Sequence, residues 1–455
     1  MIAFFFYLLV FTLPIPNHPV LAYHIGPLTV LKCLGIVCLL LAIVEMVRTG
    51  SCPPFSKRIR YGWFLAYFLV AVMSCLTHDG LGAFHSDSFM YTLSTFSLFL
   101  MTTTVIRSLR RLRWAVLVAL GSVAWGSLYV IGQWVHFHNV IPGFRTWGGL
   151  AGDPNYYAVT VVLWAPLMMF WLMAKRPRWE KWFCLGCLSV ILVGFIFAAS
   201  RGGFLGLSAT LLFVIWHTRR RLRTLAIVAL LMLPILLAPG QSAVTRLLHP
   251  DNSDEQSTEY RLELWQASER SFLQHPIFGI GMGHFHPQIE KNGQLVNLPF
   301  HVAHNTYIGI VTDLGLAGFV PFILVLLGSL RRSNAVARRT RAATTPERRL
   351  LRQVALGLQA GLIGYMVCAF FLSTQWQQVF WFAAFLSMCL PAIEAQIAAR
   401  AAREAPRDVN LAAELQPAHS AELAGANITD QLAPAPTNGG PTGTVQSLFP
   451  RRLRF

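Results

Sequence analysis

The chain has 455 residues, of which 55% are apolar and only 13% charged, with a formal net charge of +17. Soluble globular domains carry about 25% charged residues, so that class is excluded, and with it any count of soluble domains from length. The positive charge would suit nucleic acid in a soluble chain, but its distribution along this one points to a membrane surface.

Apolar runs long enough to cross about 30 Å of hydrocarbon recur throughout. Twelve spans are expected, near residues 1–22, 28–47, 61–77, 86–106, 114–135, 155–174, 182–200, 203–217, 222–238, 304–330, 354–371 and 376–393. Pro14 and Pro16 interrupt the first. It has neither a basic leader nor a small-residue cleavage site, so it reads as a span rather than a signal peptide.

Nearly all of the 37 Lys and Arg gather in alternate connections. Arg48, Lys57, Arg58 and Arg60 follow span two, and Arg107, Arg110, Arg111 and Arg113 follow span four. Lys175, Arg176, Arg178 and Lys181 follow span six, "RRRLR" from Arg219 follows span eight, and eight arginines fill 331–352. Basic connections stay cytoplasmic, so both termini are expected inside and no nucleic-acid partner is expected. Six cysteines lie inside the first eleven spans, and Cys389 lies in the last. The CxxC of Cys184 and Cys187 has no second pair at zinc spacing, so these read as plain thiols in apolar surroundings.

The other face carries few basic residues: Arg145, Arg201, Arg246, Arg261, Arg270 and Lys291. In chain order, "GDPNYYA" from Gly152 reads as a helix start, with Asp153 as cap and Pro154 in the first turn. Asp153 and Asn155 could also bond a sugar, and Tyr156 and Tyr157 suit an interfacial belt. "ASRGG" places Arg201 at a hairpin tip, where Gly202 and Gly203 would let a ligand approach the backbone. The connection 239–303 is long enough to imply function. Within it "STEYRLELWQASERSFLQHP" sets Arg261, Trp265, Ser268 and Phe272 on one helical face, capped by Ser257 or Thr258 and ended by Pro276. "PIFGIGMGHF" lacks the strand and the Lys-Ser/Thr of a nucleotide loop and reads as a flexible turn back to the membrane.

"HVAHNTYIG" then opens span ten with His301, His304 and Asn305. Their spacing leaves metal binding, a proton relay, a catalytic base and an interfacial role open. Arg201 and Arg261 on the same face suggest a phosphate clamp, because the guanidinium fork binds phosphate bidentately and keeps its charge. A histidine beside such a clamp suits proton abstraction from a hydroxyl. Asp313, inside span ten, is an intramembrane carboxylate that either functions or positions the helix. Beyond Arg400 the composition turns to Ala and Pro, which marks 401–455 as a disordered tail after a bundle of residues 1–400.

Taken in order, "GDPNYYA", "SRGG", "YRLELWQA", "HPIFGIGMGHF" and "AHNTYIGIVTDLGLAGF" resemble the bacterial O-antigen ligase and polymerase superfamily. The resemblance covers about 150–325 by motif and the whole chain by topology. It implies an all-α polytopic transmembrane bundle of about twelve spans with one long helical periplasmic loop, similar to GT-C glycosyltransferases. It also implies an inverting, metal-independent transfer of glycan from undecaprenyl diphosphate at the periplasmic face of the inner membrane, with no cofactor. Arg201, Arg261 and His304 match the family's two arginines and histidine, and the extra His301 leaves two imidazoles competing for the role of base. Asp153, Asn155, His301, Asn305, Trp265 and Arg270 are the expected substrate contacts. Trp265, Phe272 and Arg270 could dock a lipid A–core acceptor. A polymerase, a protein O-oligosaccharyltransferase and a transporter of lipid-linked sugars are the alternatives. A transporter would place its polar groups at mid-membrane and use internal repeats.

Overall fold

The computed structural model describes residues 2–25, 28–50, 61–141, 144–218, 221–222, 225–226, 252–291, 294–297, 299, 301–342 and 344–425. The expected span 222–238 falls almost wholly outside them, as do residues 239–251, Cys52 and the terminal "RRLRF". The helices are α1 (Ile2–Thr12), α2 (Pro19–Ala22), α3 (Val30–Thr49), α4 (Gly62–Asp79), α5 (Asp87–Val105) and α6 (Leu109–Phe137). They continue as α7 (Pro154–Met173), α8 (Arg178–Ala198), α9 (Arg201–His217), α10 (Asn252–Gln274), α11 (Thr306–Arg339), α12 (Pro346–Cys368) and α13 (Gln378–Gly425). Among the described residues eight helices are long and apolar enough to cross a membrane: α3, α4, α6, α7, α8, α11, α12 and α13. This is a multi-pass membrane protein.

Several expectations shift. The first span stops at Thr12, because Pro14 and Pro16 have no N–H to continue it. The described residues are mostly helical, as expected, with two short antiparallel hairpins added, His24–Ile25 with Leu28–Thr29 (β1, β2) and Gln288–Lys291 with Gln294–Asn297 (β3, β4). Helix α10 begins at Asn252, upstream of Ser257 and Thr258, so neither caps it. Residues 1–397 form one compact unit and 398–455 a second. The stretch beginning at 401, expected to lack structure, is helical as far as Gly425.

The centre of the first unit is α7, "PNYYAVTVVLWAPLMMFWLM", apolar on every side and almost wholly buried. Helix α12 packs against α7 and α9 through Gly357, Gly361 and Gly364, where an added methyl would collide with Leu167, Leu163 and Thr210. These small residues let helices approach closely where lipid supplies no hydrophobic drive. Tyr157, expected in an interfacial belt, is buried and donates to Ser127 Oγ at 2.7 Å. At the far end of α7, Glu180 is fully buried and accepts from Arg113, from Arg176 Nε at 2.8 Å and from Trp171 Nε1 at 2.7 Å. Two of the basic residues that set the charge pattern thus brace three helices.

Helix α11 is broken. Gly315 adopts φ 59° and ψ −161°, which interrupts the helical hydrogen bonds inside α11. The glycine-rich segment fills the gap. Ile280 N–H donates to Thr312 O and Gly281 N–H to Asp313 O, both at 3.0 Å; Leu316 and Ala317 N–H donate to Pro276 O and Ile277 O, both at 2.9 Å. Non-helical backbone at membrane depth persists only where protein satisfies it, and here the glycine-rich segment supplies partners for the Thr312 and Asp313 carbonyls and the Leu316 and Ala317 N–H groups. Gly279 and Gly315 pack so closely that a side chain on either would strike the other segment's backbone. "PIFGIGMGHF" is therefore a fitted insertion, and the expectation of a flexible turn is corrected. The Asp313 carboxylate accepts the N–H of Gly283, His284 Nε2 meets Asp79 Oδ1 at 2.9 Å, and Met282 N–H donates to Ser74 Oγ at 2.9 Å.

Candidate active site

The site grows from three helix starts. Asp153 caps α7 by accepting the N–H groups of Asn155 at 2.7 Å and Tyr156 at 3.2 Å, with Pro154 in the first turn as its sequence predicts. Asn155 Oδ1, turned away from the helix, accepts Arg145 Nη2 at 2.7 Å and Ser200 Oγ at 2.8 Å. Ser200 in turn caps α9 by taking the N–H of Gly203 at 3.2 Å. Ala199 before it sits at φ 44°, so the chain reverses sharply and delivers Arg201 as the first residue of α9. Arg145 Nε donates to Ala198 O at 2.7 Å, which closes the knot. Gly203 lies against the Ala158 side chain and Gly202 against Phe371. Gly203 therefore serves close packing, where approach by a ligand had been expected.

The third start is α11. Asn305 is buried and caps it, accepting Tyr307 N–H at 2.9 Å and Ile308 N–H at 3.1 Å. His304, just before, holds φ 49°, a left-handed backbone that costs a residue with a side chain about 1–3 kcal/mol and concentrates at functional positions. Neighbours hold it there. Trp265 Nε1 on α10 donates to Ala303 O at 2.8 Å, and Thr306 Oγ1 bonds Leu372 O at 2.6 Å and Thr374 Oγ1 at 2.8 Å. Burial pushes the His304 pKa below the ordinary histidine value, and the Arg261 charge pushes it further; Asp153 opposes and His301 adds a little. The imidazole is thus held neutral, ready to accept a proton.

A cleft of about 60 Å³ is lined by Arg145, Asn155, Ser200, Arg201, Arg261 and Phe371, among others. Three guanidiniums line it and no carboxylate does. Such a cavity attracts a ligand with more than one negative charge, and arginine binds phosphate oxygens in two-pronged fashion. A second, smaller cleft runs under residues 301–303 and includes Asp313, Gln375 and Trp376.

Of the residues expected from sequence, Arg201, Arg261 and Asn155 meet in the first cleft, and His304 lies within the fields of Arg261 and Asp153. His301 lines the second cleft, bonds Pro299 O through Nδ1 at 2.9 Å and rests edge-on near Tyr260. Asn305 Oδ1 caps α11 and Trp265 Nε1 bonds Ala303 O, so both hold the segment around His304. Arg270 is exposed and donates to Gln288 O at 2.8 Å, tying α10 to β3. Among the described residues no three His, Cys, Asp or Glu side chains come together as metal ligands. Sequence reasoning gave Arg145 no role, although its place among the few basic residues of the sparsely charged connections was a signal. Gln375 carried no signal at all.

Residues 185–323 match the family model described as O-antigen ligase. The match takes in Arg201, Arg261 and His304 and leaves Arg145, Asp153, Asn155 and Gln375 outside it. A comparison with curated proteins finds no match. The stretch bearing the two arginines and the histidine thus matches the family that the ordered motifs resemble, O-antigen ligase.

Proposed function

We propose that this membrane enzyme transfers a glycan from undecaprenyl diphosphate to a sugar hydroxyl of lipid A–core, at the periplasmic face of the inner membrane. The observation that carries the reading is the cleft shared by Arg145, Arg201 and Arg261, with His304 held neutral beside Arg261. The acceptor hydroxyl attacks the anomeric carbon and gives its proton to His304. The bond from that carbon to the diphosphate oxygen breaks, and undecaprenyl diphosphate leaves with the bond's electron pair. The configuration at the anomeric carbon inverts. Guanidiniums aimed at the departing diphosphate stabilise the charge as it develops, a role that a divalent ion would otherwise fill. Asp153 opposes the fall in the His304 pKa and favours the imidazolium once it forms.

The purified protein, given lipid-linked glycan and lipid A–core, should make the joined product. His304→Asn should lose about 10²–10⁴ in rate, the usual contribution of a general base, and asparagine tolerates the left-handed backbone that alanine does not. Arg201→Lys should also fail, since an ammonium lacks the fork. Near-normal transfer by both variants would sink the reading. A deletion strain should show bare lipid A–core with long glycan accumulating on its carrier. Core capped by single repeats would instead identify a polymerase.

A further inference from the structure

The arginine cleft accounts for the donor's diphosphate but not for what holds the acceptor. In an inverting displacement the nucleophile arrives opposite the leaving group. The acceptor must therefore reach His304 from the side away from the guanidiniums. The second cleft is lined by His301, Val302 and Ala303, the residues that lead directly into His304. One short segment joins the two, with Phe371 and Leu372 lining the first cleft and Gln375 and Trp376 the second.

We propose that this second cleft is a subsite for a neutral sugar of the acceptor, with Gln375 taking a hydroxyl and Trp376 supporting the ring; the proposal rests on the glycosyl-transfer reading above. Gln375 is 3% exposed and its Oε1 has no hydrogen-bond partner. A buried amide oxygen left unpaired costs about 1–3 kcal/mol, a cost a ligand hydroxyl removes by donating to it. Its backbone is firmly placed, because Gln375 O accepts both Tyr91 Oη at 2.9 Å and Trp381 Nε1 at 3.0 Å. Asp313, 7% exposed, lines the same cleft; one N–H, from Gly283, leaves its carboxylate further capacity to accept. The lining holds no Arg or Lys. An unpaired amide oxygen with no guanidinium or ammonium beside it welcomes an O–H donor and offers phosphate nothing, the converse of the first cleft. The enclosed space is about 10 Å³, room for one hydroxyl. Trp376 is partly exposed, with Tyr91 edge-on to it at 5.1 Å and 67°, and presents an apolar surface on which the rest of a sugar ring can lie.

The test is steady-state transfer by the full-length protein with lipid A–core as the varied acceptor, alongside direct binding of undecaprenyl diphosphate. Gln375→Leu should raise the acceptor KM about tenfold, the upper range for one hydrogen bond, and leave carrier affinity unchanged. Trp376→Ala should do the same, and Trp376→Phe should recover most of the loss. Monodispersity and thermal unfolding establish that each variant is folded, and the Trp376 pair stands in if Gln375→Leu is not. Unchanged acceptor KM in the folded variants overturns the proposal, as does a loss that appears in carrier affinity instead. Wild-type protein that transfers nothing, or Arg201→Lys that transfers normally, would instead defeat the underlying reading of function.

Discussion

The indole of Trp265 donates to the carbonyl of Ala303 at 2.8 Å, one residue before the strained backbone of His304. Helix α10 thus brings Arg261 and, one turn later, the bond that fixes the imidazole's segment. Charge and base are registered to each other by a single helix.

Trp265→Phe keeps the ring and removes only that N–H. The lost bond is worth about 1 kcal/mol, on the order of fivefold in rate if it is felt wholly at the transition state. We expect kcat to fall by about that factor with donor affinity intact. A change confined to acceptor KM would mean that the ring touches acceptor and does not position the loop.

The acid side of the rate profile should report His304. Its neutral form is the active one and its pKa is lowered, so activity is present above that pKa and is lost as pH falls through it, below the ordinary value of about 6.5. Asp153 raises the His304 pKa, so Asp153→Asn should move the acid limb of kcat/KM to lower pH. Asparagine caps a helix as well as aspartate does, so α7 is preserved. A limb that moves upward contradicts the assignment.

Gly315→Ala places a side chain at φ 59° and against the Ile277 carbonyl. Gly279→Ala, at φ 70°, meets the Asp313 backbone across the same contact. Each should destabilise by about 3 kcal/mol, read from thermal unfolding in detergent. Because both damage one contact, the double variant should lose less than the sum. Full additivity would show that the two segments do not depend on each other.

Glu180 lies at the end of α7 remote from the cleft, about 30 Å along a 20-residue helix. Glu180→Ala strands Arg113 and Arg176 beside a buried site and should cost about 3–5 kcal/mol. Transfer per folded molecule should be unaltered. Reduced turnover in protein of normal stability would give this carboxylate a part in the reaction.

Arg201 and Arg261 were legible because they stand among the few basic residues of the sparsely charged connections, Arg261 also on a periodic amphipathic run, and His304 because it opens an apolar span. The capping role of Asp153 was legible from the Pro154 that follows it. The rest depends on long-range contacts that leave no period in the sequence. Nothing near Arg145 announces that Asn155 and Ala198 will hold it, and nothing near Gln375 announces a vacant acceptor. The glycines at 279, 281 and 283 signalled a turn correctly, but which carbonyls their neighbours would satisfy is settled only when α11 lies beside them. That Trp265 bonds Ala303 O was not legible either, because an aromatic on a helical face carries no mark of where its N–H points.

The mended break in α11 also bears on how the chain is made. Synthesis delivers Pro276 to Gly281 before it delivers Thr312 to Ala317, so the donors and acceptors that complete the helix exist before the helix does. The interrupted carbonyls of α11 can enter lipid only in the company of that earlier segment, which makes its insertion a joint event.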